Sequence, residues 1–505
     1  MRLKSGFYIL GRHLVHTNYH ITKLYARGSK YIMAQIELWI TAFRDALWSP
    51  YFLVILLVGT GLLMTIRLRF IQARKLGHSF NLTRGIYDHP DDPGEVTHFQ
   101  ALSAALSSTV GTGNIAGVAT AIAAGGPGAI FWMWITGLFG MATKMGECTL
   151  AIKYREITPD GVVRGGPMYY ILKGLGESKN QLVASLASPF AYFFAFCMAL
   201  APMIAGNMAQ ANSAADALEA NFGIPPLGTG IVLASLIGIV LLGGIKRIGG
   251  VAGRLIPFMA VVYAIGVLTL LFMYIDVLPS VIQLIFTSAF NPQAAIGGFA
   301  GASVSDAISF GASRGVFSNE AGLGSAPIAH AAAKTSEPVR EGLVAMMEPL
   351  IDTLCINTMT AFAILATGAW TTGETGAELT SIAFGRGLPG VGSIVVAIAI
   401  TMFAFSTALT QGYYGNRAVD FLWGEKAASI YRWIFVGMHV VGAVITLELV
   451  WTLADVANGL LALPNLLTLI IMSGSIALWV KDYFSRPQIP YAELKKQEKS
   501  AGSNG

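Results

Sequence analysis

The stretch Ser108-Thr-Val-Gly-Thr-Gly-Asn-Ile-Ala-Gly117 lies in the middle of an apolar segment that runs from Phe99 to about Gly125. Apolar sequence of this length predicts a membrane-spanning helix. The residues from Gly111 to Asn114 are poor helix formers, so they would break that helix and free backbone carbonyls and amides inside the bilayer. We therefore expect an ion or a zwitterion to be held here, near the membrane midplane.

The composition places the whole chain in a membrane. Of its 505 residues, 54% are hydrophobic and only 12% are charged, which is too apolar for a soluble core of ordinary size. Its three cysteines all lie in apolar segments, so neither a disulfide framework nor a metal cluster is indicated. The chain is expected to be an all-α, polytopic protein of the plasma membrane or a bacterial inner membrane, with the lipid bilayer as a partner.

Eleven apolar segments follow one another, and the last is long enough to be two spans. They cover residues 49–66, 99–125, 127–152, 187–220, 225–244, 250–276, 293–328, 341–369, 390–416, 430–447 and 449–480. Residues 49–480 therefore form a predicted transmembrane transporter domain, followed by a tail at 481–505.

The sequence before these spans has two parts. Residues 1–32 are basic but contain no apolar run of spanning length, and we interpret Met33 as the start of translation. Residues 33–48 carry apolar side chains at helical spacing with charges between them, which predicts an amphipathic helix in the membrane interface.

The distribution of lysine and arginine predicts the orientation. If the first span ends in the cytoplasm, 24 basic residues, Arg314 among them, fall on the cytoplasmic side, and from Met33 onward only Arg44 and Arg386 fall outside. An outside N-terminus and a cytoplasmic C-terminus follow. The six basic residues before Met33 would then lie on the wrong side.

Symmetry is the next signal. Without the first span, ten spans remain, and they divide into two sets of five with opposite entry directions, at 99–276 and 293–480. Each set begins with an irregular helix, the second being crowded with small and polar residues from Gly297 to Ser313. Interrupted helices at corresponding positions of inverted repeats indicate a secondary transporter, although glycine at close helix contacts is the simpler alternative.

Candidate sodium ligands follow from the preference of hard cations for oxygen. We expect backbone carbonyls near Gly113 and Ala116 to contribute, together with the hydroxyls of Ser406 and Thr407. A hydroxyl in a membrane helix more often bonds its own preceding turn, so this pair alone is weak evidence.

Candidate substrate ligands are polar side chains in apolar surroundings. The amide of Asn114 suits a carboxylate beside the positive end of the half-helix that follows it, and Gln210 and Asn212 are similar candidates. Asp306, in the second irregular helix, would meet a substrate amine or the cation.

Two further pairs of charges lie inside predicted spans. We interpret Lys144 and Glu147 as a structural pair able to snorkel. Glu348 and Asp352 could bind a proton, an ion or Arg314, with packing by paired charges as the alternative. The sequence has neither a His-Glu-x-x-His pair nor a Gly-x-Ser-x-Gly elbow, and its glycine-rich stretches do not match a phosphate cradle. We therefore expect no enzyme activity, no cofactor other than sodium as a coupling ion, and neither nucleotide nor nucleic acid as a partner.

Five motifs together resemble the alanine or glycine:cation symporter family, and the resemblance extends from about residue 35 to 480. They are Thr109-Val-Gly-Thr-Gly-Asn-Ile-Ala-Gly-Val118, Gly165-Gly-Pro-Met-Tyr-Tyr-Ile171, Gly206-Asn-Met-Ala-Gln-Ala-Asn-Ser213, Arg314-Gly-Val-Phe-Ser-Asn-Glu-Ala-Gly-Leu-Gly324 and Phe405-Ser-Thr407. The resemblance implies the five-plus-five inverted repeat of neurotransmitter:sodium symporters and sodium-driven uptake of small neutral amino acids by alternating access. It further implies that Gly111, Thr112, Gly113 and Asn114 line the substrate site and that Ser406 and Thr407 help bind sodium or substrate.

The sequence departs from the family pattern at several positions, and these differences bear on which substrate is expected. Thr410 and Gln411 stand where Gly-Trp is usual, and Asn416, Ser309 and the residues from Pro202 to Ala205 also differ. Gln411 lies one helical turn beyond Thr407, so we expect an amide in place of an indole to give a larger and more polar pocket.

The sequence thus predicts a symporter that couples sodium influx to uptake of a small neutral amino acid of the alanine or glycine class. Substrate ligands are expected at Gly111, Thr112, Gly113, Asn114, Gln210, Asp306, Thr407 and Gln411. The alternatives are a larger or more polar substrate such as glutamine or a D-amino acid, coupling to protons, and a non-transporting membrane sensor or channel on the same scaffold.

Overall fold

The computed structural model describes residues 35, 37–49, 51–291, 303–445 and 448–502. Within these residues the chain is helical apart from connecting segments and one short antiparallel hairpin, in which Glu156–Ile157 pairs with Val163–Arg164. The expected all-α class is confirmed. The basic extension at 1–32 and the glycines at 297, 298 and 301 lie outside the described residues.

Residues 37–47 form a helix. It exposes Leu38, Trp39 and Phe43, the apolar side chains expected at an interface. The remainder, from Trp48 onward, forms one compact unit.

The first part of this unit contains the helices of the predicted first repeat and those that precede it. Their bounds are Leu53–Arg67, Ile71–Arg74, Leu76–Thr83, His98–Thr109, Thr112–Asn114, Ala116–Gly125, Ala129–Tyr154, Pro167–Tyr170, Ile171–Leu175, Gln181–Met203, Ile204–Met208, Ala209–Phe222, Pro226–Leu241, Gly244–Met273, Ile275–Val277 and Leu278–Phe290. Thr112–Asn114 and Ile275–Val277 are 3₁₀ turns, whereas Ile171–Leu175 and Ile204–Met208 are π-helical.

The second part contains the helices Val304–Asn319, Pro327–His330, Pro338–Ala345, Met347–Pro349, Leu350–Asn357, Thr358–Ala366, Ala369–Thr371, Gly376–Gly387, Gly392–Val444, Glu448–Ser485 and Tyr491–Gly502. Gly392–Val444 joins two predicted spans across a kink at Gly424, where φ is 82°. Glu448–Ser485 is a single helix with Pro464 inside it.

Five described helices are long and apolar enough to cross a membrane. Gly244–Met273 shows why their surface fits lipid. Phe258, Ile265 and Phe272 lie on its exposed side, and Phe272 is 77% exposed. In water such a stripe would be buried, so an exposed stripe indicates an apolar solvent.

A second break follows the crowded stretch. Val304–Asn319 ends where Glu320 adopts a left-handed φ of 55°, and Gly322 and Gly324 follow with φ of 92° and 78°. These positive angles stop the helix after Asn319, and whether the crowded stretch is itself irregular at Gly297, Gly298 and Gly301 lies outside the described residues. The small residues before it serve packing, since a Cβ at Gly311 would overlap the carbonyl oxygen of Ala129.

This close contact yields a stability prediction. Gly311→Ala should lower stability by about 1–3 kcal/mol, because Val304–Asn319 would be forced away from Ala129–Tyr154. Gly59→Ala, in the helix Leu53–Arg67, is the matched control, since a Cβ there meets nothing within 4 Å. Thermal unfolding in detergent would compare them, and an equal midpoint for both variants would contradict this packing.

Candidate functional site

The first broken helix is interrupted where the sequence predicts it. His98–Thr109 ends, Gly111 takes an extended conformation, Thr112–Asn114 makes a single 3₁₀ turn, and Ala116–Gly125 resumes the helix. The side chain of Asn114 fixes the break, because its Oδ1 accepts a hydrogen bond from the Gly111 N–H at 2.8 Å. A glycine is required at 111, since a Cβ would lie 2.5 Å from the Thr407 hydroxyl.

A small cavity of about 30 Å³ lies beside this break. A cavity of this size holds a water or an ion. It brings together residues from both broken helices, from Ile204–Met208 and Ala209–Phe222, and from Gly392–Val444 and Glu448–Ser485. They are Ser108, Thr109, Gly111, Gly113, Ala205, Gly206, Gln210, Phe317, Glu320, Thr407, Gln411 and Asn458. Five of the predicted substrate ligands are therefore neighbours, namely Gly111, Gly113, Gln210, Thr407 and Gln411.

The other predicted substrate ligands lie elsewhere. Thr112 is next to the cavity, and its N–H donates to Gln210 Oε1 at 3.3 Å. Asn114 points away, and its Nδ2 donates to Asp352 Oδ1 at 2.5 Å and to Asn357 Oδ1 at 2.8 Å. Asp306 does not join this group, because its carboxylate caps the start of Val304–Asn319 together with Ser303.

Asn212 also has a structural partner, since its Nδ2 donates to the carbonyl of Ile445 at 2.7 Å. The larger pocket expected from Gln411 is not seen in this conformation. The reason is that its amide is drawn across the cavity to Glu320 Oε1, at 2.6 Å, and to Ser108 Oγ, at 3.0 Å.

The predicted sodium ligands divide into two groups. Ser406 Oγ lies 3.4 Å from the carbonyl oxygen of Val110 at the break, and the Thr407 hydroxyl faces Gly111. Among the described residues, the buried hydroxyls of Thr407 and Thr112 have no hydrogen-bond partner. Ala116, by contrast, lines a different and wider cavity.

Glu320 is the residue that sequence reasoning missed. It stands at the second break and lines the small cavity, where Ser108 Oγ, Ser325 Oγ and Gln411 Nε2 donate to its carboxylate. The sequence contained a signal for Glu320, because this residue precedes Gly322 and Gly324 in the motif from Arg314 to Gly324, one of the five motifs that carry the family resemblance. A buried carboxylate held by neutral donors suits the ammonium of an amino acid or a cation.

A wide cavity has a volume of about 830 Å³. Arg314 and Trp451 line the wide cavity, and Phe317 lines the small cavity. The Phe317 and Trp451 rings are 5.5 Å apart, and Arg314 makes a bidentate ion pair with Asp455 at 2.9 and 3.2 Å. The linings of the two cavities thus meet at Phe317 and Trp451, and we call these two residues, with Arg314 and Asp455, the gate.

Arg314 corrects one expectation. It pairs with Asp455 and with neither Glu348 nor Asp352. It also shares the wide cavity with Asn221 and Thr375, which lie at loops predicted outside, whereas Arg314 was counted among the cytoplasmic residues.

Comparison with known proteins identifies the family. The model of the sodium:alanine symporter family matches residues 33–497. The chain belongs to this family. It is similar to the sodium/alanine symporter AgcS of Methanococcus maripaludis, with 47% identity over 86% of this chain and 94% of that protein.

Two further relatives show the range of this symporter family. An uncharacterized transporter of Haemophilus influenzae is 45% identical over 90% of this chain and 97% of its own length. The probable sodium/glutamine symporter GlnT of Bacillus subtilis is 39% identical over 87% of this chain and 89% of its own. Membership makes the chain a multi-pass membrane transporter of a family of cation-coupled amino acid symporters, which is not a family of enzymes.

In this symporter, a chain of buried charges ties the first broken helix to its neighbours. Lys144 Nζ lies 3.0 Å from Glu348 Oε2, and His330 bridges Glu348 and Glu341 at 2.7 and 2.5 Å. His98, the first residue of the half-helix His98–Thr109, bonds the second oxygen of Glu341. We call this set the buried ion chain, and it links the helix Ala129–Tyr154, the short helix Pro327–His330 and the helices Pro338–Ala345 and Met347–Pro349 to the start of the broken helix.

The buried ion chain changes the interpretation of Lys144. The lysine is fully buried and pairs with Glu348, so it does not snorkel. Glu147 instead accepts a hydrogen bond from Asn465 Nδ2 at 2.5 Å. Glu348 therefore has cationic partners, which favours the structural alternative for this residue.

A stability measurement tests the buried ion chain. Lys144→Met should destabilise the protein by about 3–5 kcal/mol, because Glu348 would keep a buried charge with one partner removed. Arg486→Ala breaks an exposed pair with Glu337 and should cost at most about 1 kcal/mol. Unfolding midpoints in detergent would show the contrast, and a change in Lys144→Met as small as in Arg486→Ala would argue against a charged pair.

Proposed function

We propose that this chain is a secondary active symporter that couples sodium influx to uptake of a small neutral amino acid of the alanine or glycine class. The observation that carries the proposal is the juxtaposition at the first break. Freed backbone at Val110 and Gly111 lies against Ser406 and Thr407, and the buried hydroxyls of Thr112 and Thr407 lack protein partners within the described chain. Such oxygens are what a sodium ion requires.

The small cavity is the proposed substrate site. The carboxylate of the amino acid would meet the backbone at Gly111 and Gly113, beside the positive end of Ala116–Gly125. Its ammonium would meet Glu320. Because Gln411 Nε2 already donates to Glu320, we infer that the substrate displaces the Gln411 amide and that the side chain moves to make room.

Alternating access is proposed around this site. The gate lies between the small cavity and the wide cavity. The buried ion chain holds His98–Thr109 at its first residue, the end of this helix that lies away from the break. Opening of the gate and release of the buried ion chain would then expose the site to one face at a time. We propose the wide cavity as the outer vestibule, with the N-terminus outside and the C-terminus in the cytoplasm.

Glutamine is the second candidate substrate. The small cavity contains three polar side chains suited to an amide, those of Gln210, Glu320 and Gln411, and one relative is named as a probable sodium/glutamine symporter. The five-plus-five inverted repeat belongs to the same proposal, supported by two broken helices at 98–125 and 304–330.

Uptake into proteoliposomes tests the proposed function. Radiolabelled alanine should enter saturably with an inward sodium gradient and stop entering when choline replaces sodium. Unlabelled glycine, D-alanine and glutamine would rank the substrates, and stronger competition by glutamine would identify the polar alternative. If no amino acid is taken up under sodium or proton gradients, the proposal is wrong, and non-saturating flux would indicate a channel.

Thr407→Ala should reduce sodium-driven uptake by about ten-fold or more, because a sodium ligand facing the break is lost. Thr401→Ala is the matched control on the same helix, since the Thr401 hydroxyl donates to Ala397 in its own helix at 2.8 Å. Initial rates measured against sodium concentration would separate them. Equal rates and sodium dependence in both variants would remove Thr407 from the site.

A further inference from the structure

Arg155 follows the last turn of a long helix, and its side chain binds backbone. The guanidinium is half-buried and donates four hydrogen bonds, each to a backbone carbonyl. Nη1 donates to Ala331 and Ala333, both at 2.6 Å, and Nη2 donates to Pro93 at 2.8 Å and to Thr335 at 2.6 Å. One side chain therefore joins two segments that are far apart in the sequence.

The two segments that Arg155 joins also pair with each other. Val96 and Ala333 form a parallel bridge. Four backbone N–H groups, two from each segment, donate across the pair at 2.7–3.1 Å, namely those of Glu95, Val96, Lys334 and Thr335. We call residues 93–96 and 331–335, together with Arg155, the backbone clasp.

Gly94 allows the two segments to approach this closely. Its φ is 141°, and a Cβ there would lie 2.4 Å from the carbonyl oxygen of Ala333. Glycine meets both requirements, because it has no Cβ and adopts positive φ readily. The contact between the segments is thus specified by the sequence as well as by Arg155.

The backbone clasp joins the two broken helices at the ends that lie away from their breaks. Residues 93–96 directly precede His98–Thr109, the first half of the first broken helix, and residues 331–335 directly follow Pro327–His330, beyond the second break. The first half-helix cannot separate from the second broken helix at this end until these hydrogen bonds break. Bonds from a charged donor to carbonyls are stronger than bonds between neutral groups, so Arg155 dominates the closure.

We propose that Arg155 is a positioning residue for transport, which holds the backbone clasp shut on one side of the small cavity, and that the clasp opens in each transport cycle. The inference rests on the proposed function, in whose orientation this is the cytoplasmic side. Carbonyl acceptors suit a contact that opens and closes. When the guanidinium leaves them, neutral groups are released to water, whereas breaking a buried ion pair would leave a carboxylate without its partner.

A reversible cross-link tests whether the clasp opens during transport. Because Val96 and Ala333 are bridge partners, Val96→Cys with Ala333→Cys places two thiols at a spacing that a disulfide spans. In proteoliposomes, the oxidised protein should take up radiolabelled alanine, or its strongest competitor, about ten-fold or more slowly than the same protein after reduction. The matched control is Ile157→Cys with Val163→Cys, a pair within the hairpin that joins no broken helix, and its uptake should be the same oxidised and reduced.

The cross-link has two outcomes that would overturn the proposal. The first is equal uptake by the oxidised and reduced forms of the clasp variant, because transport would then not require opening. The second is no disulfide after oxidation, because the two segments would then not be paired. The wild type, which has three cysteines of its own, is oxidised in parallel.

Backbone hydrogen exchange of the purified full-length protein tests Arg155 without relying on uptake. Arg155→Lys keeps the positive charge but replaces a planar fork by one nitrogen, which cannot reach four carbonyls on two segments. The amides of residues 95, 96, 334 and 335 should exchange about ten-fold faster or more, and by similar factors, because they are released together. Arg164→Lys is the matched control, since Arg164 pairs with Asp420, and these amides should exchange there as in the wild type.

The two experiments separate this inference from the proposed function. Faster exchange in Arg155→Lys together with lower sodium-driven accumulation supports the inference. Unchanged exchange overturns it even if the wild type transports alanine, and faster exchange with unchanged accumulation overturns the role in transport. If the wild type takes up no amino acid, the proposed function fails, while faster exchange still supports Arg155 as the residue that holds the clasp shut. If Arg155→Lys does not elute as a folded protein, the cross-linked pair decides.

Discussion

The structure depends on one constraint, the need to satisfy backbone polar groups where a helix is broken inside a membrane. The first break exposes the Gly111 N–H and the Val110 carbonyl, and the protein satisfies the N–H locally, whereas the Ser406 hydroxyl beside Val110 also donates to Phe403 in its own helix at 2.9 Å. Asn114 Oδ1 accepts from Gly111, and Ser406 Oγ lies 3.4 Å from the oxygen of Val110. What the protein does not satisfy is equally informative, since the hydroxyls of Thr112 and Thr407 are buried without a partner in the described chain.

Charge is distributed around the breaks in two ways. On the side of His98, carboxylates alternate with histidines and a lysine, so each buried charge is balanced and the half-helix is held in place. Glu320 and Asp352, beside the second and first breaks, are bound by neutral donors. Buried carboxylates of the second kind gain from a ligand that brings positive charge, which is how a resting structure can favour a cation and an ammonium group. Such a ligand would contact the two broken helices, which are the elements that we propose to move during transport.

Much of this architecture could be predicted from the sequence, because it depends on local chemistry. The length of the apolar segments predicted the helices, and the poor helix formers at 111–114 predicted the first break. Gln210, Thr407 and Gln411 were predicted because polar residues in apolar helices are conspicuous, and all three line the small cavity, although their binding roles stay predictions. The break at Glu320 was not located from the sequence, since small residues that pack look the same as small residues that interrupt a helix. The partners of Lys144 and Arg314 could not be predicted, because they depend on which helices lie side by side. The partner of Asp306 is local, since Ser303 caps the same helix three residues earlier, and the capping pattern was overlooked.

We propose that the amino acid and the cation bind at one break and stabilise each other. The Kd of alanine, or of its strongest competitor, for the detergent-purified protein over a range of sodium concentrations tests this, together with the sodium Kd with and without that amino acid. Linkage requires each ligand to tighten binding of the other by the same factor. We expect the amino acid Kd to fall as sodium rises and the sodium Kd to fall by the same factor when the amino acid is bound. An amino acid Kd that is the same in sodium and in choline would show that the two ligands do not share this break.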